Sequence, residues 1–460
     1  MKITFVNPPY KDMHMVTPPI GLGYMIAVLE KNNHQCFLID AIKDQLTIEQ
    51  TVEKIKATKA DLVAINIMTA YYYNVQKVIE LLKKDNIKVV IGGAHVSALP
   101  IYSLKETKAD YGVNGEGEYA MLELVNKLEN NEDVSKIKNL IYWDEKEVKQ
   151  NPRRPLIKYL DELPMPAWDK MNPQCYPKAP QGTVYKEFPV AQVLTSRGCP
   201  YQCSYCSSNN VWGVTFRTRS AKNIVDEIEF LVKTYGVKEI QFIDDNMTMI
   251  RERAVQICNE ILKRKLKIHW SCPNGVRIDS LDEELVKKMK LSGCYSLCLG
   301  IESGSQEILN SIHKRLNLKI IPGKIKLLKK YGIKTAGFFI LGFPNETKET
   351  IQKTIDFALS LPLDRAGFFV FTEMPGSQIF KENVKNGVID LDNIDWSAMD
   401  YFKHSTYRKL EGLSDKELTK FYSQAQFKFY ARPRIMWGLM KDIKFAQLGW
   451  LMKRVLHYSK

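Results

Sequence analysis

Short apolar runs alternate with amphipathic stretches along the first 120 residues. The runs KITFV, QCFLIDA, DLVAINIM and KVVIGG have the length and composition of strands, and the segments between them, such as YYYNVQKVIELLKKDN, repeat apolar residues at helical spacing. Strands that alternate with helices form parallel βαβ units, and nearly continuous apolar strands are typical of a sheet covered on both faces. The pattern predicts a doubly wound, Rossmann-like α/β domain whose ligands bind at the carboxyl ends of the strands.

A second series of strands and helices begins near residue 191. Six apolar runs, from AQVLTS to AGFFVFTE, are separated by helical segments. Right-handed crossovers curl such a unit toward a barrel, and six strands are fewer than the eight that close one. We therefore expect four parts: the Rossmann-like domain at 1–134, a proline-rich linker with a small hairpin at 135–190, a partial (β/α)6 barrel at 191–374 and a mostly helical region at 375–460, where Ser414 and Glu417 have capping-box spacing.

Composition indicates the cellular compartment of the protein and the kinds of partner that suit it. The 460 residues contain no apolar run long enough to span a bilayer, and the start lacks a signal-peptide pattern, so we expect a cytoplasmic protein. Nine cysteines, an odd number with three of them clustered, do not fit a secreted disulfide framework. The net charge of +14 suits nucleic acid, anionic lipid or acidic substrates, and equally a lysine-rich surface that favours solubility.

Three cysteines stand within the stretch SRGCPYQCSYCSS. Cys199, Cys203 and Cys206 follow the first strand of the second unit, where barrel enzymes place their chemistry. A disulfide does not suit the odd number, and structural zinc needs a fourth ligand that no second cysteine pair of the right spacing supplies. An iron–sulfur cluster fits better, because thiolates hold such clusters and three ligands leave one iron open to a substrate or cofactor. Gly198 and Pro200 would help the loop bend around it.

The spacing C-x3-C-x2-C, with an aromatic residue before the third cysteine, resembles the signature of the radical S-adenosylmethionine (SAM) enzymes. The resemblance implies a [4Fe–4S] cluster on the three cysteines, with SAM on the open iron, and reductive cleavage of SAM to a 5′-deoxyadenosyl radical. An external one-electron reductant of the flavodoxin or ferredoxin type would supply the electron. Matching positions after the strands are the candidate SAM contacts: Tyr205, Asp244, Asp245, Arg277, Glu302, Ser303, Leu341 and Gly342.

Loops of the first domain resemble those of the cobalamin-binding domain in class B radical SAM enzymes. The stretches NPPY, TPPIGLGYM, GGAHVSALP and NGEGE carry this resemblance, and the LDELPMPAWD linker looks similar too. Glycines in such loops allow a flat ligand to approach the backbone. The resemblance implies these cobalamin contacts: Pro8, Thr17, Pro18, Gly21, Thr69, Gly92, Gly93, His95, Val96, Gly115 and Glu116.

One departure concerns the lower face of cobalt. Many cobalamin domains contain Asp-x-His-x-x-Gly, whereas the matching stretch here reads DAIKDQ. Cobalt then lacks a histidine from this motif, which favours the nucleophilic four-coordinate cob(I)alamin used in methyl transfer. His95 is the other notable histidine nearby, and a hydrogen-bonding role in its loop is the plainer expectation for it. A domain that keeps the fold but has lost cobalamin is the alternative.

The resemblance implies a cobalamin-dependent radical methyltransferase, which transfers a methyl group from methylcobalamin to an unactivated carbon of a small-molecule or lipid-like substrate. A cyclase or oxidoreductase with the same cofactors is the alternative, and a basic Fe–S protein that binds nucleic acid is a third; we expect no nucleic-acid partner. Methylthiolation is disfavoured because residues 1–174 contain only Cys36. The last 30 residues mix aromatic residues and methionines with seven Lys and Arg, which predicts peripheral membrane contact or, equally, helices packed over the barrel mouth.

Overall fold

Two parallel sheets organise the protein. The computed structural model describes residues 1–10, 16–178, 185–399 and 412–442. One sheet belongs to the N-terminal part and the other to the central part, so the predicted α/β architecture is confirmed. Among these described residues, no helix is both long and apolar enough to cross a bilayer.

The N-terminal sheet has seven strands in the order β2-β1-β3-β4-β5-β6-β7. Their bounds are β1 Lys2–Asn7, β2 Gln35–Asp40, β3 Leu62–Asn66, β4 Val89–Gly92, β5 Tyr111–Val113, β6 Leu140–Asp144 and β7 Glu147–Gln150. The first five are parallel, whereas β6 and β7 are antiparallel. The hairpin expected in the linker thus extends the first sheet past residue 134, because Leu140–Asp144 pairs directly with β5.

Six helices cover this sheet. They are α1 Ile20–Lys31, α2 Ile48–Thr58, α3 Tyr72–Lys83, α4 Ala94–Ala98, α5 Pro100–Thr107 and α6 Glu118–Glu129. Local sequence explains their starts: Thr47 and Gln50 form a reciprocal capping box at α2, and Pro100 occupies the first turn of α5, where no amide donor is needed. The buried apolar strands between the helices form the core of the domain.

The central sheet has six parallel strands in the order β15-β14-β13-β12-β11-β8, and β8 and β15 are its two edges. This open arrangement is the predicted partial barrel. A short antiparallel ribbon of β9 and β10 stands beside it. The bounds are β8 Val190–Val193, β9 Ser196–Arg197, β10 Arg217–Thr218, β11 Glu239–Phe242, β12 His269–Val276, β13 Cys294–Glu302, β14 Lys334–Leu341 and β15 Arg365–Val370.

Helices follow the strands of this second unit. Their bounds are α7 Asn209–Trp212, α8 Ala221–Tyr235, α9 Arg251–Lys263, α10 Glu283–Leu291, α11 Gln306–Ser311, α12 Ile321–Lys330 and α13 Lys348–Ser360. Ser220 caps the start of α8, and Gly236 ends it with φ +62°, a left-handed conformation that glycine adopts without strain.

One part of the C-terminal region packs against the N-terminal domain and another part packs against the barrel. Its helices are α14 Gln378–Lys385, α15 Asp415–Tyr430 and α16 Pro433–Asp442. The segment 380–399 joins the core of the N-terminal domain, whereas α15 packs against the barrel through Leu418 and Phe429. The predicted capping box of Ser414 and Glu417 is present at the start of α15.

Candidate active site

The cysteine loop spans residues 198–216 and is closed at its base by the β9–β10 ribbon. Gly198, with φ +85°, precedes the first cysteine, and a Cβ at this position would collide with the carbonyl oxygen of Thr215 across the loop. Only glycine therefore fits this closure. The ribbon holds the three cysteines at the carboxyl end of β8, as the sequence predicted.

Thiol chemistry in the loop fits a cluster. Cys199 and Cys203 are partly buried, and Cys206 is exposed. Burial raises the pKa of Cys203, while the cations Lys314 and Arg277 act in the opposite direction. Metal coordination would supply the positive charge that keeps these sulfurs as thiolates. Within the described ranges, no three Cys, His, Asp or Glu side chains could hold a metal ion together. A cubane relaxes that condition, because each thiolate binds its own iron.

A buried ion pair adjoins the cysteines. Lys314 Nζ donates to Glu302 Oε1 at 2.7 Å and to the hydroxyl of Tyr205 at 3.3 Å. Glu302 ends β13 at a register shift, with φ +70°, and Gly300 gives the pair room because a Cβ there would lie 2.8 Å from the Glu302 carboxylate. Such strained backbone in a non-glycine residue is typical of functional positions. No local sequence pattern pointed to Lys314, which lies in a loop twelve residues beyond Glu302.

Arg277 braces the cysteine loop from the third barrel strand. Its guanidinium stacks on the ring of Tyr201 at 3.8 Å, donates to the Asp279 carboxylate at 2.7 Å, and donates to the carbonyl oxygens of Lys314 and Arg315. These bonds use most of its donors. Pairing of Arg277 with the SAM carboxylate stays a prediction, and the contacts present make it a support for the loop and for Lys314.

The two aspartates after β11 face opposite ways. Asp244 is buried and accepts hydrogen bonds from the amide and hydroxyl of Thr195 and from Ser196 Oγ at 2.6 Å. Its carboxylate is thus committed to fixing the strand end that leads into the cysteine loop. Asp245 is exposed and accepts from Ser208 Oγ at 2.5 Å, two residues after Cys206. Of the two candidates, Asp245 is the one whose carboxylate a bound ligand can reach.

The ends of β13 and β14 supply the remaining SAM candidates. Ser303 is fully buried and hydrogen-bonds Thr354 Oγ1 at 3.0 Å, so its hydroxyl ties the strand to α13. The amide of Gly342 donates to Glu346 at 2.6 Å, and the carbonyl of Leu341 accepts from Phe371. Glu346, which the sequence reasoning missed, is buried, and burial raises its pKa to about 7.

The N-terminal domain contains a cavity of about 340 Å³ at the carboxyl ends of its strands. Five predicted cobalamin contacts line it: Gly21, Gly92, Gly93, Gly115 and Glu116. A Cβ on Gly21 would meet no atom within 4 Å, and one on Gly92 would meet only a carbonyl oxygen at 3.8 Å. The glycines therefore leave open space that a side chain would fill, which fits the backbone approach of a large flat cofactor.

The other predicted cobalamin contacts lie away from this cavity. Thr17 and Pro18 border a smaller cleft that faces the barrel strands β8 and β11. The remaining four, which do not line the cavity, are Pro8, Thr69, His95 and Val96. The glycine turn at Gly92 and Gly93 explains this for the last two, because α4 begins immediately afterwards and carries them into the protein interior.

His95 is an interior residue. Its ring is 1% exposed, packs edge-on against Trp396 at 4.8 Å and lies tilted against Tyr72 at 4.6 Å. Nδ1 and Thr69 Oγ1 share a hydrogen bond of 3.1 Å, which is the loop role expected for a lone histidine. Burial lowers the pKa of His95 to about 3, so the ring is neutral. The predicted contact between His95 and cobalamin finds no support in this position.

Comparisons with known proteins match both domains of the chain. The Radical SAM superfamily profile matches residues 193–358, and the B12 binding domain profile matches residues 12–125. An uncharacterised methyltransferase of Pyrococcus horikoshii is 33% identical over 99% of this chain and 97% of its own length. The chain belongs to the cobalamin-dependent radical SAM methyltransferases. Its cofactors are a [4Fe–4S] cluster, SAM and cobalamin.

Two further relatives of this methyltransferase are informative. The anaerobic magnesium-protoporphyrin IX monomethyl ester cyclase of Rubrivivax gelatinosus is 30% identical over 83% of this chain and 70% of its own length. The radical SAM methyltransferase TsrM of Kitasatospora setae, solved with cobalamin and a [4Fe–4S] cluster, superposes with a TM-score of 0.71 at 20% identity, over 84% of this chain and 75% of its own. At that identity the superposition shows that the two proteins share a fold.

Proposed function

We propose that the enzyme methylates an unactivated carbon of a small molecule, with cobalamin as the methyl carrier. One observation carries the proposal: Val211 and Trp212, a few residues after Cys206, form a wall of the cavity in the N-terminal domain. A single loop therefore borders both cofactor sites. Such an arrangement supports a reaction in which a substrate radical made on one side accepts a methyl group from the other.

Within this proposal, each side chain has a defined task. Cys199, Cys203 and Cys206 would hold the cluster, which would supply the electron for the cleavage of SAM. Asp245 faces the open side of the loop and would accept from the SAM amino group. Glu302 and Lys314 lie beside Cys203 as a charge-balanced pair, so they can orient polar groups of SAM without adding net charge. An external one-electron reductant of the flavodoxin or ferredoxin type completes the electron balance.

A buried amide in the barrel supports a proposal about the substrate. Gln192 and Gln241 stand in register on neighbouring strands, both are buried, and the Gln241 amide nitrogen has no hydrogen-bond partner among the described atoms. They border a cleft whose other walls include Tyr176, Tyr185 and Phe188. The cleft holds only about 20 Å³, roughly the room of one water molecule, so it suits a single carbonyl or carboxylate oxygen of a substrate as the acceptor for the amide. Gln241→Leu should reduce product formation while SAM cleavage without substrate continues.

The experiment that tests the function uses anaerobically reconstituted full-length protein. We expect one cobalamin per chain and equal amounts of 5′-deoxyadenosine and methylated product. Protein that binds the cluster but takes up no cobalamin would contradict the proposal. The cyclase relative motivates the alternative of ring formation with the same cofactors, and a product whose mass shows hydrogen loss in place of an added methyl group would establish that alternative.

The C-terminal helices support a second, smaller proposal about location. The α16 side chains Met436, Trp437 and Met440 are 52–67% exposed, whereas α15 packs on the barrel. Exposed aromatic and sulfur side chains among basic residues are typical of helices that lie on anionic membranes. The rest of the predicted tail, residues 443–460, lies outside the described residues. We propose a cytoplasmic enzyme, whose thiols need a reducing compartment, that contacts the membrane through α16.

Vesicle flotation tests the membrane contact. The full-length protein should float with vesicles that contain anionic lipid, and a variant with Met436, Trp437 and Met440 replaced by serine should float several-fold less. A matched control replaces the exposed Ile101 and Leu291 with serine. Equal flotation of the wild type and the α16 variant would refute the contact.

A further inference from the structure

Two arginines close the base of the cysteine loop. Arg197 on β9 pairs directly with Arg217 on β10, so the loop 198–216 begins and ends next to a guanidinium. Both side chains are at most 5% exposed. Two like charges this close and this well buried require compensating anions, and the loop itself supplies none to them.

The anions come from the cobalamin-binding domain. Glu116 Oε1 accepts from Arg197 at 3.0 Å and from Arg217 at 2.7 Å, and Glu118 Oε1 accepts from Arg197 at 2.6 Å. The two carboxylates are as buried as the arginines, which makes a balanced group of four charges. Removing one member of such a group leaves a buried charge unpaired, so the loop and the glutamates have to move together.

The same glutamates and the same loop border the cobalamin cavity. Glu116 and Glu118 line it from the N-terminal domain, and Trp212 lines it from the cysteine loop. The Arg197 guanidinium lies 4.7 Å from the ring of Trp212. Glu118 Oε2 is buried and has no hydrogen-bond partner in the part of the chain that the structure describes. A corrinoid that fills the cavity packs against the two glutamates and Trp212, which links the ligand to the charge group.

We propose that Arg197 is a positioning residue that couples the two cofactor sites. Cobalamin in the cavity fixes Glu116, Glu118 and Trp212; these hold Arg197, which lies two residues before Cys199 and so orders the cluster loop. Coupling between binding sites is reciprocal, so a loop fixed by its cluster also strengthens cobalamin binding. The benefit to the reaction is that the cluster and the methyl carrier are held in a fixed relation before substrate arrives.

The coupling is measured as a ratio of dissociation constants. Hydroxocobalamin is titrated by absorbance into full-length wild type carrying its cluster, and into a cluster-free form with all three loop cysteines changed to alanine. We expect the cluster-free form to bind at least about fivefold more weakly. In the Arg197→Gln background, the ratio should fall to about one, because the link is missing. Arg154→Gln is the control. It removes a part-exposed ion pair with Glu123 of the N-terminal domain and should keep the wild-type ratio.

A wild-type ratio of one, or an unchanged ratio in Arg197→Gln, would overturn the proposal. Where Arg197→Gln does not fold, Arg197→Lys retains the charge, and the same loss of the ratio is expected because an ammonium lacks the planar fork that reaches both carboxylates. Hydrogen exchange gives a direct readout. Hydroxocobalamin alone should slow amide exchange in residues 198–216 of the cluster-free protein. It should not slow that exchange in cluster-free protein that also carries the Arg197 substitution. Absence of slowing in the cluster-free protein with Arg197 intact would also overturn the proposal. Neither measurement requires substrate or turnover, so failure of the proposed methylation would not affect them.

Discussion

The proposed cluster loop and the proposed cobalamin cavity differ in what would hold the cofactor. The loop depends on side-chain chemistry, because three sulfurs, an ion pair and a stacked arginine lie within it or beside it. The cavity depends on volume, because Gly21 at the start of α1 and Gly92 and Gly115 near strand ends carry no side chains that would fill it. A site that binds through covalent metal bonds is sensitive to residue type, and one that binds through shape is sensitive to volume.

The largest effect should come from the first site. Cys203→Ser removes a cluster ligand, so we expect loss of the bound iron and sulfide and no detectable 5′-deoxyadenosine. Iron analysis and product chromatography measure both. Cys175→Ser changes an exposed thiol outside the loop and should have no effect. Full SAM cleavage by the Cys203 variant would show that the loop does not hold the cluster.

The buried ion pair gives the next effect. Burial acts to lower the pKa of Lys314, but the Glu302 carboxylate outweighs it and raises the pKa, so the Lys314 ammonium is charged. Lys314→Met leaves Glu302 buried without its cation, which should cost about 3 kcal/mol or more of stability. The double variant with Glu302→Gln should recover part of that loss in thermal denaturation. No difference between the single and double variants would mean that the two side chains do not interact.

The cavity should respond to volume and be indifferent to chemistry. Gly92→Ile projects a side chain into the open space, and overpacking of about 1–3 kcal/mol should weaken cobalamin binding roughly 10- to 100-fold while cluster content stays normal. Gly92→Ala is the matched control, because a single Cβ has room there. Absorbance titration gives both affinities. Equal weakening by Ala and Ile would indicate that volume is not what decides binding.

A smaller effect concerns the backbone turn after β14, which Glu346 holds through the amides of Gly342 and Phe343. Burial raises its pKa in the folded state to about 7, so its ionisation costs stability as the pH rises from about 4.5 to about 7. Glu346→Gln stays neutral and should gain about 2 kcal/mol over wild type between pH 5 and pH 8. An equal difference in melting temperature between wild type and variant at pH 5 and at pH 8 would contradict this prediction.

The smallest effect is expected at His95. Because its ring lies among Tyr72 and Trp396, His95→Phe should keep cobalamin bound and change stability by less than about 1 kcal/mol. The paramagnetic resonance spectrum of bound cobalamin should show no imidazole nitrogen coupling in either protein. Such a coupling in the wild type, lost in the variant, would make His95 a cobalt ligand and contradict the structure.

The contrast between the sites also explains what the sequence could predict. The strands, the three cysteines and the glycine turns are local patterns, so each can be predicted from its own segment of the sequence. Arg197 and Glu118 are 79 positions apart in the chain, and Lys314 contacts Tyr205 from 109 positions away, so no local pattern predicts these pairs. The inward turn of Asp244 and the burial of His95 depend on where a strand end points, which only the folded neighbours decide.

Two segments pack away from their neighbours in sequence for the same reason. The hairpin of β6 and β7 looked like part of the linker because prolines follow it, yet its edge pairs with β5. The segment 380–399 follows the barrel in sequence but packs on the first domain, with Trp396 against His95. Both are tertiary contacts between segments that each look ordinary.

We propose that one loop joins the site of radical generation to the site of the methyl carrier. The most direct test supplies SAM with a trideuterated methyl group to the reconstituted enzyme, with a reductant and a small-molecule extract of the source organism. We expect one product that gains the whole labelled methyl group. It should form in an amount equal to that of 5′-deoxyadenosine and only when cobalamin is bound. Radical turnover that yields an unlabelled product, or proceeds equally without cobalamin, would contradict it.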